Sequence, residues 1–321
     1  MTPDCVSEVS TLSAPEFGAS VSDSLSRIDE LISRELFGTE EIIRDAMLLP
    51  LESESTRLRT VFAVLAAQFG TEPHTSQVTT AGAAVELMYL ATLAHNEVAN
   101  QSELASAKLS DTQRWKNNVA ILVGDYRFAV VSRLGAELGP RAFAVIADTF
   151  AELVAGQLRA TRGPANDVDL FDHYLRCVRE TSGCVVAAAG QLGAIFSGAG
   201  DEAVVHLSRL GRLVGSAFQI SDDVAALSGS VDKIESLTGE APGEDVRQPL
   251  TQRSLATRNY TATDVVALLQ SKAGIVAAME SIRTYTEQAR QEISCLPACE
   301  ASHTLMAVVD SAVHGSFESA T

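Results

Sequence analysis

"VELMYLATLAHNEV", residues 85–98, repeats apolar residues every three or four positions and then sets His95, Asn96 and Glu97 at its end. That period is the pattern of an α-helix with one buried face. The continuation "ANQSE" adds Asn100, four residues after Asn96 and therefore on the same side of the helix. The same period recurs in "RIDELISREL" (27–36), "TRLRTVFAVLAAQF" (56–69) and "RAFAVIADTFAELVAGQL" (141–158). No pair of alternating strands is evident, so the chain reads as all-α. Breaks fall near residues 38, 70, 138, 162 and 198, each marked by glycine, proline or small polar residues. Residues 1–20 read as a disordered polar tail and residues 21–321 as a single helical domain. One long irregular stretch is expected from Ser228 to about Gln252, the kind of loop that often serves as a lid.

Of the 321 residues, 46% are hydrophobic, ample for a core. Lys and Arg total 24 against 41 Asp and Glu, a formal charge of −17, which excludes a broad footprint for nucleic acid or anionic membrane. A polyanionic ligand would need a local basic pocket. No export signal opens the chain, and the cytoplasm is the expected location. The run Gly183–Gly200 approaches membrane-spanning length, but its alanines, glycines and Gln191 fit a helix buried among other helices. Five cysteines, an odd number, are expected as free thiols, with Cys177 and Cys184 packed in the core. Trp115, Phe62, Phe69, Phe128 and Phe143 read as core or interface packing.

"GSAFQISDDVAAL" (215–227) places Gln219, Asp222 and Asp223 on an otherwise apolar helix. Adjacent carboxylates there repel each other unless a cation or a basic side chain lies opposite. Taken alone, they fit an exposed helix end equally well.

In context, the chain resembles the trans-isoprenyl diphosphate synthases, or polyprenyl synthetases. "FQISDD" (218–223) is similar to the lead-in to that family's second aspartate-rich motif, and "GDYRFA" (124–129) to its Gly-Asp-Tyr/Phe segment. "LAHNEV" (93–98) stands where the first motif, Leu-Ile-His-Asp-Asp-Val, normally does. "TRLR" (56–59), "AGQL" (155–158), "QLGAIFSGAG" (191–200) and "GEAPGED" (239–245) fall in the family's order. The resemblance implies an isoprenoid-synthase-type bundle of long antiparallel helices around a central cavity, usually homodimeric. It also implies Mg²⁺ held by two aspartate-rich motifs on an allylic diphosphate, and basic residues holding isopentenyl diphosphate. Ionisation of the first substrate then lets the alkene of the second attack.

Position by position, much of that equipment is replaced. The first-motif aspartates are Asn96, Glu97 and Asn100, and the third aspartate of the second motif is Ala226. An amide oxygen brings no charge to offset the dehydration of Mg²⁺. The arginine pair that follows the first motif in the family falls at about Ser106 and Ala107. Of the basic stretch that grips isopentenyl diphosphate, Arg57 and Arg59 remain, while its lysine is Thr56. Two further lysines are Thr181 and Glu240. Charge-assisted phosphate contacts are strong, and several are missing together.

The leading reading from the sequence is therefore a catalytically impaired member of the family, inactive alone, serving as a non-catalytic or regulatory subunit of a heteromeric prenyl diphosphate synthase. An active homologue is the implied partner, with a homodimer as the other arrangement. A second reading is an active prenyltransferase or terpene synthase with a single-motif metal site: Mg²⁺ on Asp222, Asp223 and Glu97, and diphosphate on Arg57, Arg59 and Gln219. Ala91 and Thr92, five and four residues before Asn96, would line the floor of its product tunnel. A third is an isoprenoid-binding protein without turnover. Arg57 and Arg59 also read as ion-pair partners of nearby acids, and His95 with Asp125 and Tyr126 as structural hydrogen-bonding groups.

Overall fold

A computed structural model of the chain describes residues 14–37, 57–104, 111–165, 167–238 and 262–318. All the regular structure among them is helical, as the periodicity predicts. In chain order the helices are α1 (Pro15–Phe37), α2 (Leu58–Ala67), α3 (Ser76–Leu104), α4 (Asp111–Leu138), α5 (Pro140–Arg162), α6 (Leu170–Val178), α7 (Cys184–Phe196), α8 (Asp201–Thr238), α9 (Ala262–Gln270), α10 (Lys272–Ser294) and α11 (Glu300–Glu318). A π-helical turn, Arg179–Gly183, joins α6 to α7.

The connections follow local chemistry. Between α4 and α5, Gly139 adopts φ 94°, a left-handed geometry that costs glycine little, and Pro140 starts the next helix where its missing N–H is no loss. The Asp169 carboxylate caps α6 by accepting from the Phe171 and Asp172 amides, at 2.8 and 3.1 Å. Two boundaries differ from the sequence reading. The expected tail ends early, because α1 begins at Pro15. The expected loop from Ser228 begins late, because α8 continues to Thr238. A single Ser or Gly costs a helix about 1 kcal/mol or less, too little to stop one that already has a long packed run behind it. The rest of that stretch, with "GEAPGED" and Glu240, lies outside the described residues.

At the centre are α3 and α7. Residues 81–88 of α3 are buried on every side, and ten residues of α7 are buried. Helices apolar all round belong in a core rather than at a surface. Close approach depends on missing side chains: a Cβ on Gly193 would stand 2.2 Å from the Ala63 carbonyl oxygen of α2, and one on Gly211 of α8 would stand 2.4 Å from that of Val186. Among the described residues no helix is long and apolar enough to cross a membrane. The run from Gly183 is core, as its composition predicts.

A second, smaller apolar cluster lies where α6, α8, α9 and α10 meet, with Tyr174, Cys177, Val178, Ile220 and Ile282 at its heart. Cys177 and Cys184 are buried free thiols; burial pushes the Cys177 thiol up to about 12 and the Cys184 thiol higher still. Phe62 is fully buried, whereas Trp115 and Phe143 are 63% and 46% exposed. Only the interface half of the aromatic expectation therefore suits those two.

Candidate active site

The motif residues singled out from sequence fall on two helices, α3 and α8, while Arg57 and Arg59 stand at the start of α2 and Asp125 and Tyr126 on α4. On α3, Asn96 is buried, and the side chains of Glu97 and Asn100 lie outside the described residues. His95, beside it, is held by α4. Its Nε2 lies 3.2 Å from Asp125 Oδ1 and 3.3 Å from the Ile121 carbonyl, and its ring stacks on Phe128 with centroids 6.2 Å apart. Gly124 makes this possible, since a Cβ there would come within 2.2 Å of His95 Nε2. The Gly-Asp pair of "GDYRFA" thus acts as a socket and a latch for the histidine. Tyr126 of the same segment donates to the Glu35 carbonyl at 3.4 Å.

Arg127, the next residue, is fully buried and donates from Nη1 to the Leu90 carbonyl at 2.8 Å. Burial lowers its guanidinium to about 10. It was not legible as a site residue, because a basic residue on an exposed helix face gives the same local pattern. Ala91 and Thr92, the expected tunnel floor, are buried one turn from His95, and the Thr92 hydroxyl donates to the Tyr89 carbonyl at 2.6 Å.

The two surviving arginines already have partners. Arg57 is exposed and ion-paired with Asp29 of α1. Arg59 is 8% exposed and forms a fork with Glu86 of α3, Nε to Oε2 at 2.8 Å and Nη2 to Oε1 at 2.9 Å, while its guanidinium lies 3.7 Å over the Tyr89 ring. Bidentate pairing and stacking fix a guanidinium plane strongly. Arg59 therefore braces α2 against α3. A diphosphate on it would have to share it with Glu86. The sequence signal for Glu86 was present, as the one acid inside the apolar run "AGAAVELMYL".

On α8 the arrangement is a chain of hydrogen bonds. Tyr174 donates to Asp223 Oδ2 at 2.8 Å, the Gln219 amide donates to Asp223 Oδ1 at 3.0 Å, and the Ser182 hydroxyl donates to Gln219 Oε1 at 2.5 Å. Asp223 is 2% exposed, so its charge is stabilised by donors rather than by water. Its neighbour Asp222 is half-buried. Thr181, where the family has a lysine, donates to the Cys177 carbonyl at 2.8 Å. Tyr174 could not be found from sequence, and Ser182 is legible only as the residue after Thr181, because they lie 49 and 37 residues from the partners they bond.

Among the described residues no three His, Cys, Asp or Glu side chains converge to hold a metal ion. Mg²⁺ asks for less when a phosphorylated substrate supplies the remaining oxygens, often one or two carboxylates. Asp222, half-buried beside the hydrogen-bonded Asp223, is a carboxylate of the type that smaller demand requires.

Residues 40–249 match the polyprenyl synthetase family. The chain is 41% identical to a dimethylallyltranstransferase of Mycobacterium tuberculosis, covering 94% of this chain and 97% of the relative. It is 39% identical to a nonaprenyl diphosphate synthase of the same organism, covering 93% and 95%. Its fold matches the crystal structure of a geranylgeranyl pyrophosphate synthase from Corynebacterium glutamicum complexed with calcium and isoprenyl diphosphate. The TM-score is 0.75 and the identity 32%, with 94% of this chain and 98% of that one covered. Fold, motif order and these likenesses agree: the chain belongs to the polyprenyl synthetase family.

Proposed function

We propose that the chain is a prenyltransferase that elongates an allylic diphosphate with its charge handling concentrated on α8. This is the second of the sequence readings, and it displaces the non-catalytic subunit as the leading one. The observation that carries it is likeness over nearly the whole length to relatives named as a dimethylallyltranstransferase and a nonaprenyl diphosphate synthase. The Ser182–Gln219–Asp223–Tyr174 chain supports it, because it holds the second motif in a fixed geometry beside Asp222. When bound, Mg²⁺ would neutralise the charge that develops on a leaving diphosphate. Asp222 is its proposed anchor, and Glu97, the one acid kept in the first motif, is the second proposed ligand. Arg57 is the exposed cation placed to attract the substrate's phosphates, since its pair with Asp29 is solvated and weak.

The non-catalytic subunit remains the second reading, favoured by the buried amide at Asn96 and by the engagement of Arg59 with Glu86. In either case Trp115, Ile121 and Leu122 of α4 and Phe143 and Leu158 of α5, each exposed, are the residues proposed to meet a partner.

The test is prenyl elongation with radiolabelled isopentenyl diphosphate, allylic diphosphates and Mg²⁺. It is run on the purified chain alone and then with a co-expressed polyprenyl synthetase from the same source. Product from the chain alone sustains the first reading. Silence alone, with an altered rate or chain length in the mixture, replaces it with the second.

A further inference from the structure

A cleft of about 460 Å³ opens between α5, α6, the π-helical turn, α8 and α10. Among the described residues none of its lining comes from α3 or α4, and Gln219, Asp222 and Asp223 do not border it. Arg176, Arg179 and Arg212 line it, with Glu152, Glu180 and the Tyr285 ring. Such a concentration of arginine stands out in a chain of formal charge −17.

Two of the cleft's carboxylates are already satisfied. Glu152 accepts both terminal nitrogens of Arg212, at 2.5 and 2.9 Å. Glu180 accepts Arg159 Nε at 2.8 Å and Arg176 Nε at 2.9 Å. Burial alone would raise the Glu180 carboxyl, but those two donors outweigh it and hold it below its ordinary value. Arg159 and Arg176 thus engage Glu180 through Nε alone, with their terminal nitrogens turned to no acceptor among the described residues. The Arg179 guanidinium forms no hydrogen bond or ion pair among the described residues, and its positive field opposes the upward push of burial on the Tyr285 hydroxyl. Asp172, the third carboxylate, sits exposed on the rim.

The backbone adds a second observation. Arg179 and Glu180 line the cleft from the π-helical turn whose Ser182 hydroxyl donates to Gln219 of α8. Single π-turns cost hydrogen-bond geometry and recur at functional sites. One short segment thus supplies two cleft residues and one partner of the aspartate-motif helix.

The geometry points to a second anion-binding site in this cleft, taking a phosphate or diphosphate group between the guanidinium forks of Arg176 and Arg179, with Leu175 and Tyr285 beside it. Guanidinium forks suit tetrahedral oxyanions, and the volume is that of a small-ligand pocket. The site does not depend on whether the chain turns over prenyl substrates.

The experiment is calorimetric titration of the full-length protein with sodium diphosphate in Mg²⁺-free buffer containing a chelator. It is repeated on Arg176→Ala/Arg179→Ala, on Arg176→Lys/Arg179→Lys and on Arg141→Ala, an exposed arginine outside the cleft. Arg176 and Arg179 are exposed, so the double variants should fold, and circular dichroism checks this. Saturable binding weakened roughly tenfold or more by the alanine pair, partly kept by the lysine pair and unchanged by Arg141→Ala sustains the site. Affinity equal in wild type and the alanine pair, an equal loss with Arg141→Ala, or no saturable binding at about 10 mM diphosphate overturns it. A parallel titration with dimethylallyl diphosphate identifies the source: tighter binding that the alanine pair abolishes indicates an esterified ligand, and equal binding indicates the free anion.

Discussion

The α3 and α8 segments hold the positions of the two aspartate motifs, yet they have parted company. On α3 the acid that remains well described, Glu86, is committed to Arg59, and the motif position Asn96 is a buried amide. His95 is committed to Asp125. On α8 both aspartates persist, and Asp223 is wired to Tyr174 and Gln219. Among the described side chains, α3 has turned Glu86 and His95 to bracing the bundle, whereas α8 has kept both aspartates, Asp223 buried in a hydrogen-bonded chain and Asp222 half-buried beside it. Motif loss in a family fold is therefore uneven: a position can give up its ligand while its neighbours remain indispensable for packing.

The contrast breaks if the two helices respond alike to mutation. Glu86→Gln should have the largest effect on stability, about 3–5 kcal/mol in a urea denaturation series, because it leaves the Arg59 charge buried without its carboxylate. A loss under about 1 kcal/mol would mean that α3 is not braced there. Asp222→Asn should do the reverse. In the elongation assay it should lower turnover about 10²–10³-fold, the scale for removing one group that offsets developing charge. Its unfolding midpoint should hold to about 0.5 kcal/mol. Unchanged turnover would move the chemistry away from α8.

Smaller effects sharpen the picture. Gly124→Ala should cost about 1–3 kcal/mol by driving a methyl group into the His95 ring, with a displaced His95 resonance in NMR spectra. Unaltered stability and an unmoved resonance would remove the socket from the account. The smallest effect concerns acid. Glu180 titrates below its ordinary value in the folded chain. Its contribution is therefore full above the unfolded carboxyl pKa and is lost as pH falls through the folded one. Arg176 is 62% exposed, so solvent limits the term to under about 1 kcal/mol. Denaturation midpoints measured downward from about pH 6 should converge for wild type and Glu180→Gln at acid pH.

The helical architecture was legible because burial imposes a period on every packed helix, and 85–98, 141–158 and 183–196 carried it plainly. Helix ends were less legible: Ser228 and Gly229 resembled a stop, but the tertiary surroundings carry α8 past them. The retained landmarks were read correctly as family features, while the missing ligands were read as missing activity. A comparison of residue types at motif positions says nothing of how the remaining groups are wired. Tyr174 and Ser182 show why: Tyr174 belongs to no motif named in the sequence, Ser182 stands beside the replaced lysine position at Thr181, and both hold the α8 motif in place.

The sequence by itself determined the fold class, the order of the helices and which polar residues stand at the motif positions, because these depend on local period and residue type. Only the tertiary structure decided that Arg59 belongs to Glu86, that Gly124 exists for His95 and that three arginines line one cleft. Each of those facts joins residues far apart in the chain, and a charge acquires its role from the neighbour that folding brings within about 3 Å.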